Sequence, residues 1–169
     1  MKQISNNGIV YLQFDNGGFE GTVHGFFLRK GGISPSPWDS LNLGSTVGDS
    51  RDNVIENRKR IFDSIGKPVD SLFDVWQVHS ADTICTNTPR KLIDPHQKAD
   101  AIFTDRPHVT LLMRFADCVP ILLYDPKKSV IGIVHAGWQG TVKQIVKHAV
   151  ETIVKRYHVD PVDLVAGIG

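Results

Sequence analysis

Three residues have the types a metal site needs: His79 in WQVHS, Cys118 in FADCVP and His135 in IVHAGW. Each lies in or at the end of an apolar, strand-like run. Two imidazoles and one thiolate make a three-donor set for a catalytic zinc ion, leaving a fourth position open for water or substrate. If the three converge, the chain can present a metal-activated nucleophile. Each also has a plainer reading. A lone histidine on an apolar run is commonly a satisfied core residue, and a buried cysteine behaves as a small hydrophobe. His135 could sit in a tight strand-to-helix turn beside a buried Trp138.

Residue context favours chemistry in places. Asp117 precedes Cys118, and Pro120 interrupts the strand ladder just beyond it, as happens at strand ends. His135 runs through Gly137 and Gly140 into a helical pattern, so it would project beside helix N–H groups suited to an anion. Gln77, two residues before His79, would share its side of a strand. On the first predicted helix, Arg58 falls inside the stripe of Val54, Ile61, Phe62 and Ile65. It must either snorkel outward or direct a paired guanidinium inward, toward phosphate or carboxylate. Asn42, between Leu41 and Leu43, is a weaker polar insertion of the same kind. No CxxC pair, HExxH, Walker A motif or GxSxG elbow occurs.

The elements that must position these residues follow from periodicity and punctuation. Residues 8–14 and 22–28 read as strands separated by Asn16-Gly17-Gly18, and KGGISPSPWDS reads as a loop. A helix is predicted from about Asp52 to Ile65, with Asp49, Ser50 and Asp52 at its start and Gly66 closing it. Strand-like runs follow at 72–78, 100–104, 109–115, 119–124 and 129–135. From Thr141, Val142, Ile145, Val146, Ala149, Ile153, Val154 and Tyr157 share one helical face. After Asp160-Pro161, VDLVAGI reads as a buried strand. No turn or cap follows it, so the domain is expected to lack a C-terminal portion or to be completed by another chain.

Composition bounds the function classes. The chain has 169 residues, enough for one domain with a substantial core. Nineteen Lys and Arg nearly balance eighteen Asp and Glu, and a net charge of +1 argues against nucleic acid or an anionic membrane as main partner. The N-terminus lacks an apolar signal region and no long apolar stretch occurs, so the expected location is cytoplasmic. Two cysteines, Cys85 and Cys118, in different contexts argue for free thiols rather than a disulfide framework.

The segments HGFFLRKGGIS, SLNLGSTVGD, NVIENRKRIF, WQVHSADT, ADAIFTD, ADCVPILLYD, IVHAGWQGT and AGIG resemble, in order, the polyphenol-oxidase, laccase-domain family of the YfiH/YlmD group. The resemblance covers nearly the whole chain. It implies a single α+β domain over residues 1–169, layered around a mixed sheet and similar to the cytotoxic necrotizing factor deamidases. It implies a metal held by His79, Cys118 and His135, zinc with copper as the alternative, and Arg58 at the active site. Phosphorolysis of adenosine, inosine, guanosine and methylthioadenosine, and adenosine deamination, are the implied reactions. Arg58 would orient phosphate and Asn42 the nucleoside, in a monomer. Copper-dependent phenol oxidation is one alternative. Amide hydrolysis by a Cys118–histidine pair, on peptidoglycan precursors, is the other. Gln139 stands where the family usually carries arginine after His-Ala-Gly-Trp.

Overall fold

The computed structural model describes residues 1–15 and 17–169. The expected turn residue Asn16 lies outside them. The chain is α+β and divides into two compact units, Met1–Val69 and Asp70–Gly169.

The first unit holds strands β1 (Lys2–Asn6), β2 (Ile9–Gln13) and β3 (Phe26–Phe27), paired antiparallel in that order, and helix α1 (Arg51–Ser64). β1 carries mostly exposed residues and no apolar face, which is why periodicity does not reveal it. The Ser50 hydroxyl accepts from the Asp52 amide, so α1 begins at the predicted cap. Gly66, with φ +64°, ends it in the left-handed region.

The second unit contains β4 (Leu72–Phe73), β5 (Thr83–Cys85), β6 (Ala101–Thr104), β7 (Thr110–Leu111), β8 (Val119–Asp125) and β9 (Val130–Ala136). Helices α2 (Trp138–Val142) and α3 (Ile145–Tyr157) and strand β10 (Val165–Ile168) complete it. β10, β8, β9, β6 and β5 form one sheet in that order, and β4 pairs with β7. Only β5–β6 is parallel within the large sheet, so that sheet is mixed. β6 is buried on both faces. Its Ala101 and Phe103 pack with Val134, Ile145, Ala149 and Ile153 beneath α3, while Ile102 packs with Phe73, Val75, Val109 and Met113 opposite. Gly132 lies opposite Phe103 in register, where a side chain would overlap the Phe103 ring.

The predicted continuous helix from Thr141 is instead two helices. Gln144, with φ +59°, sits in the left-handed region between them. Ile145, Ala149 and Ile153 are buried at four-residue spacing, but Val142 is 75% exposed, because the break turns α2 off the face that α3 follows. Among the described residues, no helix is long and apolar enough to cross a membrane.

Candidate metal centre

Sheet register brings the candidate ligands to one edge. β5 runs parallel to β6, and β6 and β8 both run antiparallel to β9. The beginnings of β5, β6 and β8 therefore lie at the same edge as the end of β9. Cys118 immediately precedes β8, His135 is the next-to-last residue of β9, and His79 lies in the loop leading to β5. Their donor atoms all fall within 4.8 Å of one another. Cys118 Sγ is 3.7 Å from His79 Nε2, and the two imidazole centroids are 5.0 Å apart. A tetrahedral zinc ion with usual Zn–S and Zn–N bonds separates sulfur from nitrogen by about 3.6 Å, so the donor set fits such an ion. Among the described residues, this His-Cys-His group could hold a metal.

His79 is not on a strand, contrary to the sequence expectation. The run expected at 72–78 ends as a strand at Phe73, and Trp76 makes only an isolated bridge with Lys98. The cause lies in Gln77 and Asp100. The Gln77 side chain donates to the Arg114 carbonyl and accepts from its amide, taking the place of strand pairing. Beyond it the chain turns, and His79 adopts φ +57°, a left-handed conformation rare for a non-glycine residue. The amides of Val78, His79 and Ser80 all donate to the Asp100 carboxylate, at 3.2, 3.0 and 2.6 Å. On the other side of the turn, Lys143 Nζ donates to the His79 carbonyl at 2.7 Å. The helix break at Gln144 leaves Lys143 as the cap of α2, from which it reaches that carbonyl.

His135 is buried, with its ring 5.4 Å from that of Phe115. Its Nδ1 lies 2.8 Å from Asp100 Oδ1. Burial pushes the Asp100 carboxyl up, but hydrogen bonds from Ser80, His135 and Val78 outweigh it and hold the group below its ordinary value. The carboxylate is therefore ionised and can only accept, so His135 Nδ1 is the donor of this bond. Sequence reasoning missed Asp100 as a functional residue. The ADAIFTD segment is legible as a strand, but only the β6–β9 register sets Asp100 across from His135.

Burial and the neighbouring Asp117 charge push the Cys118 thiol above its ordinary value. Without a cation, the thiol keeps its proton at neutral pH. Gly137 lies against two of the candidate ligands. A Cβ there would fall 2.8 Å from Cys118 Sγ and 2.9 Å from His79 Cδ2. The glycine of His-Ala-Gly-Trp thus lets the backbone approach both ligands. Trp138, expected to be buried in the plainer reading of this turn, is 75% exposed. α2 has five residues, so the long helix dipole expected after His135 is absent.

Arg58 and Asn42 belong to the first unit. Arg58 is buried on α1 and does not snorkel outward. The Asn42 side chain donates to the Gly44 carbonyl and to Asp49 Oδ2, and accepts the Gly44 amide. Its backbone carbonyl accepts from Asn57, which is fully buried and also donates to Ser34 and to the Ser40 carbonyl. Asn57 and Asp49 therefore organise the Gly31–Asp49 loop, a role the sequence does not announce.

Comparison with known proteins places this geometry among relatives. The sequence profile of the multi-copper polyphenol oxidoreductase laccase family matches residues 23–169. The purine nucleoside phosphorylase YlmD of Geobacillus stearothermophilus is 36% identical over 157 residues, which cover 89% of this chain and 57% of that protein. A purine nucleoside phosphorylase of Deinococcus radiodurans is 39% identical over 131 residues, 78% of this chain and 49% of that protein. The crystal structure of the Geobacillus YlmD superposes with a TM-score of 0.86 at 33% identity, over 94% of this chain and 64% of that one. Bacillus licheniformis YfiH gives 0.85 at 32%, over 96% and 62%. The chain spans about half the length of the curated relatives it matches. On the profile match and these relatives together, the chain belongs to the multi-copper polyphenol oxidoreductase laccase family.

Proposed function

We propose that the chain acts in a metal-dependent purine nucleoside enzyme, cleaving nucleosides by phosphorolysis. The observation that carries this reading is the convergence of His79, Cys118 and His135 within 4.8 Å. It is joined by relatives named purine nucleoside phosphorylase. Zinc is the proposed occupant, since two imidazoles and a thiolate with one open position match its catalytic sites. When bound, such an ion supplies Lewis acidity and an activated nucleophile at neutral pH.

The chain's own residues do the rest. Asp100 holds the His135 ring with Nε2 free, and Lys143 and Asp100 fix the turn that carries His79. Cys118 gives up its proton on metal entry, which makes binding pH-dependent. In phosphorolysis, phosphate adds at ribose C1′ as the bond to the purine breaks. Arg58, which the family resemblance puts at the active site, is assigned to phosphate, and Asn42 to nucleoside placement. Adenosine, inosine, guanosine and methylthioadenosine are the proposed substrates. Deamination of adenosine at C6, releasing ammonia, is proposed as a second reaction of the same centre.

The experiment pairs metal analysis with chromatography of inosine incubated with phosphate. One zinc per chain and hypoxanthine release are expected, with both lost in Cys118→Ala. Wild-type turnover by a folded, zinc-free Cys118→Ala protein would remove the metal from the reading. A His₂Cys set also suits copper. Phenol oxidation by copper-loaded protein that shows no nucleoside turnover would favour that alternative. Chelator-resistant but thiol-reagent-sensitive amide hydrolysis would favour a Cys118–histidine pair.

A further inference from the structure

Asp100 is fully buried, and the hydrogen bonds its carboxylate accepts come from the two candidate histidine ligands or from the turn that carries one of them. Oδ1 accepts from the His79 amide at 3.0 Å and from His135 Nδ1 at 2.8 Å. Oδ2 accepts from the Val78 amide at 3.2 Å, the Ser80 amide at 2.6 Å and the Ser80 hydroxyl at 2.9 Å. Three successive backbone N–H groups thus point into one carboxylate, an arrangement that binds anions. A turn of that kind requires the left-handed φ observed at His79.

We propose that Asp100 is the positioning residue of the metal centre, setting through one carboxylate both the His135 tautomer and the backbone turn that delivers His79. The proposal rests on the metal reading above and specifies how the site is assembled. A carboxylate accepts but does not donate, so His135 is held as the Nδ1–H tautomer and offers Nε2 to the ion. The same oxygen anchors the His79 amide, so the two imidazoles are fixed relative to each other through a single atom. The backbone reinforces this arrangement, because the His135 amide donates to the Asp100 carbonyl at 2.7 Å. The geometry therefore stands before any ion arrives.

Asparagine is the informative substitution. Its amide NH₂ must face either the Val78 and Ser80 amides or the His79 amide and His135 Nδ1, so one oxygen's partners meet a donor in place of an acceptor. Either orientation releases the turn or frees the tautomer. Asp125 provides the control. It is equally buried and accepts the Lys127 and Lys128 amides, but it lies at the opposite end of β8 from Cys118.

Two measurements decide the matter. The first is ¹⁵N NMR of the histidine rings in metal-free protein. Wild type is expected to show His135 protonated at Nδ1, Asp125→Asn to match it, and Asp100→Asn to lose that preference. A wild-type His135 protonated at Nε2 would overturn the proposal even if Asp100→Asn fails to fold. The second is cobalt(II) titration. Asp100→Asn should bind roughly 10–100-fold more weakly with an altered ligand-field spectrum, a loss of the size seen for removal of such outer partners. Unchanged affinity and spectrum in Asp100→Asn, with wild type binding cobalt, would overturn the proposal and leave the metal reading standing. Wild type that binds neither cobalt nor zinc would overturn the metal reading, while the ring tautomer would still test the part played by Asp100.

Discussion

Replacing Gly137 with alanine tests the packing of the metal centre with one added carbon. The backbone itself tolerates the change, since Gly137 has φ −73° and ψ 169°, within reach of any residue. The strain is steric. The new Cβ would lie 2.8 Å from Cys118 Sγ and 2.9 Å from His79 Cδ2. Comfortable heavy-atom contacts lie at about 3.5–4.0 Å, so each ligand must retreat by roughly 0.6–1.2 Å. Metal sites hold ligand distances to about 0.2 Å, several times less than that retreat. Metal affinity should therefore fall about 10–100-fold, or about 1.4–2.8 kcal/mol. Overpacking should cost the fold a further ~1–3 kcal/mol. The assay is competition for zinc against a chromogenic chelator, run beside thermal melts in excess EDTA. A folded Gly137→Ala protein that competes for zinc as well as wild type would refute the packing argument.

Gly132→Ala should do the converse: its Cβ overlaps the Phe103 ring, so melts should show a loss of about 1–3 kcal/mol with zinc affinity unchanged once folded. Asp74→Ala removes the carboxylate that pairs at 2.6 Å with the buried Arg90 guanidinium, and urea melts should show a loss of about 3–5 kcal/mol. Burial raises the Asp49 carboxyl, but hydrogen bonds from Ser34, Asn42, Asn53 and the Ser50 amide outweigh it and hold the group down at about 2, against an ordinary 3.8. Its contribution to stability is thus present above pH 3.8 and lost as pH falls toward 2; Asp49→Asn should flatten that stretch of the acid unfolding profile.

The ligand types were legible in the sequence because histidine and cysteine carry their chemistry in their identity. α1, β8 and β9 were legible because length and periodicity agree with burial. Asp100 was hidden because its meaning depends on which strand pairs with β6 and in what register, a non-local fact. The His79 turn was hidden because the apolar spacing of Phe73, Val75 and Val78 imitates a strand, while Gln77 supplies the hydrogen bonds a strand would have made. The break at Gln144 crosses an unbroken 3.6-residue pattern with no glycine or proline to mark it. β5 was missed because three residues are too few to show a period.

The candidate ligands come from distant chain segments, and His79 and Cys118 alone are 39 residues apart. They meet only at a sheet edge where four strand ends close together. The β8–β9 hairpin carries Cys118 and His135, but His79 comes from the separate loop before β5, so an incompletely paired sheet offers the ion at most two of the three donors. The full three-donor binding energy would therefore be available only to the assembled sheet and would add to its stability by mass action, about 2.7 kcal/mol at a hundredfold excess over Kd. The ion would act as a reporter of register: a one-residue slip of β9 against β8 or β6 would turn His135 to the opposite face and abolish the site. Metal uptake would thus select the correctly paired sheet from its near-misses.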